Sequence, residues 1–276
     1  MGRIVHISDL HFSRVEVGLA ESALEAIARI DPDVVVVSGD LTLRGRAREF
    51  REAATFLEKI EAPVLCVPGN HDYPGHNLLR RFVMPLALYR RHVARDVEPE
   101  MLVDGMFLLG VNTARRWGPS LNWALGRFSL FQIARVELAM RERKDDRLRC
   151  LVAHHPMFVE RDARGFRPAG RADLMKRTLA RGRVDLVLSG HLHLESCFVE
   201  RVGEDGDSAH STVFVHAGTL TSTRTRGEAN SFACIEVGEE TMSVSMWAYD
   251  GVEFTGGEER RFVRGDVGWS ELGIGG

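Results

Sequence analysis

The 276-residue chain predicts an α/β protein in which two β-sheets pack face to face with helices on their outer sides. Three observations lead there. Short β-branched runs alternate with amphipathic stretches through most of the chain, the pattern after His193 changes to strands alone, and the length allows a sizeable core in one domain.

In order, residues 4–7 read as a strand, 17–30 as a helix, 34–37 as a strand, 47–60 as a helix and 64–67 as a strand. This is a β-α-β-α-β opening. Strands at 106–111 and 148–153 bracket a helix at 130–143, and a helix at 172–180 precedes a strand at 184–188. The strands-only part comprises 197–202, 212–215, 231–237 and 241–249. Residues 1–263 are read as the domain, and residues 264–276, with little apolar periodicity, as a flexible tail.

A formal charge of −3 gives no overall attraction to nucleic acid, so no nucleic-acid polymer is expected as partner. Cys66, Cys150, Cys197 and Cys234 are widely spaced, at least three of them inside strand-like runs, and read as core residues in a reducing compartment. The first dozen residues lack the apolar stretch of a signal peptide, and "VVVV" at 34–37 is far too short to span a bilayer. A cytoplasmic protein is expected.

The informative residues stand at the carboxyl ends of strands. "IVHISDLH" delivers Asp9 and His11, "VVVVSGD" Asp40, "VLCVPGNHD" Asn70, His71 and Asp72, "CLVAHHP" His154 and His155, and "DLVLSGHLH" His191 and His193. Singly, each is more simply a turn former, a helix cap or a satisfied polar residue. Together they predict one crevice, because ligands of open α/β sheets bind outside the carboxyl ends of the strands. The D-x-H and H-x-H spacings predict, in extended backbone, side chains pointing the same way. Gly39, Gly69 and Gly190, each directly before a candidate, predict sharp turns or close backbone approach.

Seven of these residues can ligate a metal: Asp9, His11, Asp40, Asn70, His154, His191 and His193. One cation needs four to six donors, so the set suits two, with Asp40 as the natural bridge. Two divalent cations, less Asp9, Asp40 and a bridging hydroxide, leave a surplus positive charge that attracts a phosphoryl group. A carboxylate in place of Asn70 would cancel it. The expected reaction is attack of a metal-bridging hydroxide on phosphorus, with His71 assisting the leaving oxygen and Asp72 holding the His71 ring.

The blocks "DLH", "GDLT", "GNHD", "HHP" and "GHLH", in this order, resemble the calcineurin-like metallophosphoesterases over about residues 2–249. The resemblance implies a four-layer α/β/β/α sandwich. It implies one metal on Asp9, His11, Asp40 and His193, and a second on Asp40, Asn70, His154 and His191, with His155 structural or outer. The stretch from "VVVSGDLTLRGRAREF" to "VPGNHD" most resembles the bacterial branch of class III cyclic-nucleotide phosphodiesterases and glycerophosphodiesterases. The implied cofactors are two divalent ions, or one trivalent and one divalent; the mixed donors suit manganese, iron, zinc or cobalt alike.

Substrate choice is expected from residues 73–95, 112–127 and 157–170. Residues 78–93 mix apolar and arginine residues, which fits either a cap helix broken by Pro85 or a surface meeting lipid or a second subunit. Trp117, Leu121 and Trp123 could extend that surface. The leading expectation is a phosphodiesterase for a small diester such as a cyclic nucleotide or glycerophosphodiester. The alternatives are a phosphomonoesterase or lipid-linked pyrophosphate hydrolase with the same metals and, more remotely, a non-catalytic interaction module.

Overall fold

A computed structural model describes the chain except residues 14, 16–17, 76, 118–121, 123, 144–147, 160–166, 204–208, 224–226 and 274–276. The opening is β1 (Gly2–Ile7), α1 (Leu19–Ile30), β2 (Val34–Val37), α2 (Ala47–Leu57) and β3 (Val64–Cys66). There follow α3 (Leu78–Val83), α4 (Ala87–His92), β4 (Glu100–Val103), β5 (Met106–Val111), α5 (Leu130–Glu142), β6 (Leu148–Ala153), α6 (Ala172–Gly182) and β7 (Leu186–Ser189). The chain closes with β8 (Ser196–Val202), β9 (His210–His216), β10 (Ser231–Val237), β11 (Thr241–Tyr249), β12 (Phe254–Gly265) and β13 (Gly268–Glu271).

The strands form two sheet halves. In the first, β3, β2 and β1 run parallel and β10, β11 and β12 continue antiparallel; in the second, β5, β6, β7 and β9 run parallel, edged by antiparallel β4 and β8. Strand alternation explains the four layers. On β2, Val34 and Val36 point to a central core shared with Leu148, Val152 and Leu188, while Val35 and Val37 point outward to α1 and α2. On β5, Met106 and Leu108 face the same central core, and Phe107 and Leu109 pack outward with Met140 of α5 and Met175 of α6. The α1 residues Leu19, Ala23, Ala26, Ile27 and Ile30 form one buried stripe at helical spacing.

Residues 264–272 depart from the expected flexible tail. β13 pairs antiparallel with β12 and meets β9 at Gly268–Ser211, so it joins the two halves. Trp269 is wholly buried, with Nε1–H donating to Asp185 at 3.0 Å. One aromatic anchor holds this segment where periodicity shows nothing. Residues 78–93 also divide: Leu86, Leu88 and Tyr89 are buried against the first sheet's outer core, whereas Leu78, Leu79, Phe82, Val83 and Met84 are exposed. Leu121 and Trp123, and much of 157–170, lie outside the described residues.

Candidate metal centre

Three of the five marked strand ends, those of β1, β2 and β3, belong to the first sheet half, and those of β6 and β7 to the second. They meet where the carboxyl edges of both halves adjoin. Asp9 N–H donates to Gly39 carbonyl at 3.1 Å and His11 N–H to Asp40 carbonyl at 3.0 Å, which ties the loop after β1 to the loop after β2. Gly190 N–H donates to His154 carbonyl at 3.1 Å, tying the loops after β6 and β7 in the same way.

The convergence of Asp9 with His11 and of His191 with His193 has a different origin from the extended backbone the spacing suggests. Asp9 (φ 52°), His11 (φ 46°), Asp40 (φ 54°), His191 (φ 72°) and His193 (φ 58°) all occupy the left-handed region. Such conformations cost about 1–3 kcal/mol each in non-glycine residues and persist where surroundings enforce them, most often at functional sites. Five of the seven candidate ligands carry that strain. Two glycines admit the close approach: a Cβ on Gly69 would strike Asp40 Oδ1, and one on Gly190 would strike Ser8 Oγ and lie 2.6 Å from Asp9 Oδ2.

All seven candidates gather. His11 Nε2 lies 3.4 Å from His193 Nε2, and each is 3.5 Å from Asp9 Oδ1. Asp40 Oδ2 lies 3.3 Å from His154 Nε2 and 3.9 Å from His11 Nε2, between the two groups, while Asp40 Oδ1 accepts from His71 N–H at 2.8 Å. Asn70 Oδ1 is 3.2 Å from His154 Nε2, and the His191 ring is 5.1 Å from that of His154, centre to centre. Asn70, His71 and His191 are half-buried and the others buried, so the centre opens to solvent on their side.

Outer partners aim the rings. His154 Nδ1–H donates to Ser38 carbonyl at 2.8 Å and His11 Nδ1–H to Thr42 carbonyl at 3.3 Å, leaving both Nε2 atoms as lone pairs towards the carboxylates. His193 Nδ1 is engaged by Thr219 Oγ1 at 2.6 Å. Thr219 escapes a reading of five blocks, although "HAGT" after β9 marks a sixth strand end. His155 has a nitrogen within 4.8 Å of ring nitrogens of His154 and His191, but both its nitrogens are engaged: its Nδ1 accepts from Thr113 Oγ1 at 2.8 Å and its Nε2–H donates to Ala124 carbonyl at 3.0 Å. It backs His191 at 4.5 Å between ring centres.

Asp72 has another partner than the one expected. Its carboxylate accepts from Gly69 N–H at 2.9 Å and from Thr42 N–H and Oγ1–H at 3.0 and 2.9 Å, so it latches the loop after β3 to the loop after β2. The His71 ring is held by its own Nδ1–H to Leu43 carbonyl at 2.7 Å and packs edge-on against His11 at 4.9 Å. Burial and then the nearby Asp40 charge push the Asp72 carboxyl up to about 7, against the pull of its donors.

A buried carboxylate facing imidazole lone pairs is unfavourable unless something positive lies among them. Asp9 Oδ1 is fully buried and, among the described residues, has no hydrogen-bond donor. Asp9, His11 and His193 present converging ligand atoms, as do Asp9, Asp40 and His154. The donor set fits transition-metal cations. Protons in part take that role in the bare chain: against burial, the Asp40 charge lifts His154 to about 9, while burial and His154 push His191 down to about 3.

Fold and site together define a four-layer α/β/β/α sandwich with a candidate metal centre at the carboxyl edge of its sheets. Residues 2–195 match the calcineurin-like phosphoesterase family, and the chain belongs to it. It is 40% identical over 81 residues to the glycerophosphodiester phosphodiesterase GpdQ of Enterobacter lignolyticus, a stretch covering 25% of this chain and 29% of that protein. It is 27% identical over 206 residues to a probable cyclic nucleotide phosphodiesterase of Rhodopseudomonas palustris, covering 69% and 71% of the two chains. Among solved structures it resembles the purple acid phosphatase PPD1 of yellow lupin, with TM-score 0.66 at 14% identity over 92% of this chain and 52% of that one, which shows the shared fold.

Proposed function

We propose that this chain is a dinuclear-metal phosphodiesterase for a small phosphodiester, such as a cyclic nucleotide or glycerophosphodiester. The observation that carries this is Asp40 Oδ2, held between the His11 and His154 Nε2 atoms in a cluster where Asp9 Oδ1 has no hydrogen-bond donor among the described residues. Asp9, His11, Asp40 and His193 would hold one cation and Asp40, Asn70, His154 and His191 the other. Bound there, the pair supplies a water acidified towards neutrality and positive charge opposite the phosphoryl oxygens. The neutral Asn70 side chain leaves that charge uncancelled. His71, half-buried with Nδ1–H donated to Leu43 carbonyl, would have to carry a second proton on Nε2, as an imidazolium, to protonate or stabilise the leaving oxygen. Asp72 acts through the Thr42 and Gly69 loops as a positioning residue. The four cysteines are free and buried, which fits a reducing, cytoplasmic setting. Among the described residues no helix is long and apolar enough to cross a membrane.

The test is hydrolysis of bis(p-nitrophenyl) phosphate against p-nitrophenyl phosphate by chelator-stripped protein reloaded in turn with manganese, iron, zinc and cobalt. The diester is expected to be turned over faster, with Asp40→Ala and Asn70→Ala each losing about 10²–10³-fold in kcat. Metal-loaded protein inert towards both esters ends the proposal.

A second reading, a lipid-linked pyrophosphate as substrate, is favoured by α3 alone, where Leu79 is 75% and Val83 64% exposed. Co-sedimentation with anionic vesicles, lost in a Leu79→Glu/Val83→Glu variant, is its expected outcome. A dimer dissociated by the same variant, without vesicle binding, assigns the strip to a second copy of the chain instead.

A further inference from the structure

Beside the metal centre lies a cleft of about 440 Å³ whose walls include Tyr73, Trp117 and four arginines, Arg115, Arg116, Arg127 and Arg171. It sits at the same carboxyl edge. Tyr73 directly follows Asp72, and Thr113, between two cleft-lining residues, holds the His155 ring that backs His191. Three of the arginines are set by a pinned backbone: Arg127 N–H donates to Thr113 carbonyl at 2.9 Å, Gly170 N–H to Gly126 carbonyl at 2.8 Å, and Arg81 Nη2 to Arg115 carbonyl at 3.0 Å. Arg171 adds a bond from Nη1 to Phe128 carbonyl at 3.1 Å.

Several arginines elsewhere have acids. Arg3 pairs with Glu236, Arg29 with Glu253, Arg135 with Glu98 and Glu100, and Arg260 with Glu271. Among the described residues none of the four cleft arginines pairs with a carboxylate. They also act on one another: burial first, then the Arg127 and Arg171 charges, lower the Arg115 guanidinium from its ordinary range. The neighbouring polar groups are already used, Asn112 Nδ2–H by the Tyr73 hydroxyl at 3.1 Å and Gln132 Nε2–H by Asn112 carbonyl at 2.8 Å. Gathering like charges without a counter-charge is unfavourable unless an anion neutralises them. Guanidinium groups are the side chains suited to phosphate and carboxylate.

We infer that this arginine cleft binds a second anionic group of the substrate, so that the preferred ester carries a phosphate or carboxylate besides the phosphoryl group that is cleaved. The inference rests on the phosphoesterase reading above. That reading concerns the ester bond; this one concerns what hangs from it.

A matched pair of chromogenic probes separates the two: thymidine 5′-(p-nitrophenyl phosphate) with a free 3′-hydroxyl, and the same compound with a 3′-phosphate. Metal-loaded protein is expected to show a KM about tenfold lower for the 3′-phosphate. Arg116→Glu/Arg127→Glu should bring the KM ratio of the two probes to about one or invert it, and Arg116→Gln/Arg127→Gln should narrow it, which guards against a folding defect in the charge-reversed protein. Equal KM values in the unaltered protein, or a ratio that neither pair of substitutions moves, overturns the inference and leaves the phosphoesterase reading standing. No release of p-nitrophenol from either probe with any metal overturns both.

Discussion

Asp9 and Asp185 are both buried carboxylates beside parallel strands, one after the carboxyl end of β1 and the other just before β7. Their surroundings differ. Asp185 accepts from Arg149 N–H at 2.8 Å and Trp269 Nε1–H at 3.0 Å, with the Arg149 Nε and Arg264 Nη2 charges each 3.4 Å away. Asp9 Oδ2 accepts from Ser8 Oγ–H at 2.7 Å and His191 N–H at 2.9 Å, but its Oδ1 has no donor and faces two imidazole nitrogens. At one end of the sheets the fold supplies all the positive charge a buried acid needs. At the other only imidazoles face the acid, and that marks the candidate metal centre more specifically than burial or residue type.

The largest effect follows from breaking the complete site. Asp185→Ala leaves the Arg149 guanidinium buried without its partner and removes the anchor of Trp269, and breaking a buried pair costs about 3–5 kcal/mol. Urea unfolding is expected to show a loss of that size, in chelator and in metal alike. Asp9→Asn should behave oppositely. In chelator, where against burial the His193, His11 and His154 imidazoles hold the Asp9 carboxyl well below its ordinary range, it removes a charge that imidazoles alone balance while keeping the shape and an acceptor for Ser8 and His191, so the loss should stay well under that of Asp185→Ala. In manganese or zinc it should lose the stabilisation that cation binding gives the unaltered protein. A large loss for Asp9→Asn in chelator would mean that the fold already completes this carboxylate, and the contrast would fail.

The same contrast shows what the sequence made legible. The ends of β1, β2, β3, β6 and β7 could be read because β-branched runs stop abruptly at glycine, aspartate, asparagine or histidine, where turn chemistry and ligand chemistry use the same residues. The left-handed backbone of Asp9 and His193 was illegible, since spacing alone cannot separate an extended D-x-H from a coiled one. Asp72 reads as a ring holder by adjacency, yet its partners Thr42 and Gly69 come from loops fixed by strand order. β13 hid because one tryptophan fixes it. β4 could have been found: Asp104 and Gly105, both at positive φ, make the D-G turn that announces a hairpin with β5.

Three further histidines sharpen the comparison, because they too have unmet ring nitrogens but no cluster of ligands. Among the described residues His6 Nδ1, His216 Nε2 and both ring nitrogens of His210 are buried without hydrogen-bond partners. Burial pushes His216 down to about 4 and, as the largest of several effects, His210 to about 4 and His6 to about 3. Each folded-state value lies below the ordinary 6.5, so between pH 6.5 and about 4 the unfolded chain binds protons that the folded chain refuses. Stability present above pH 6.5 is therefore lost as pH falls through this window, at about 1.4 kcal/mol per pH unit for each group. His216→Phe removes one such group, and the only bonded neighbour it strands is Ser196, 2.9 Å away and half-buried, within reach of water. Urea unfolding from pH 7 to pH 5 in chelator should then give a shallower dependence for His216→Phe, by about 2 kcal/mol over the whole range, or about 1 kcal/mol per pH unit on average. An unchanged slope would mean that His216 takes up its proton in the folded chain, and that its unmet nitrogen, like the unmet Asp9 Oδ1, signals a charge the fold is built to accept.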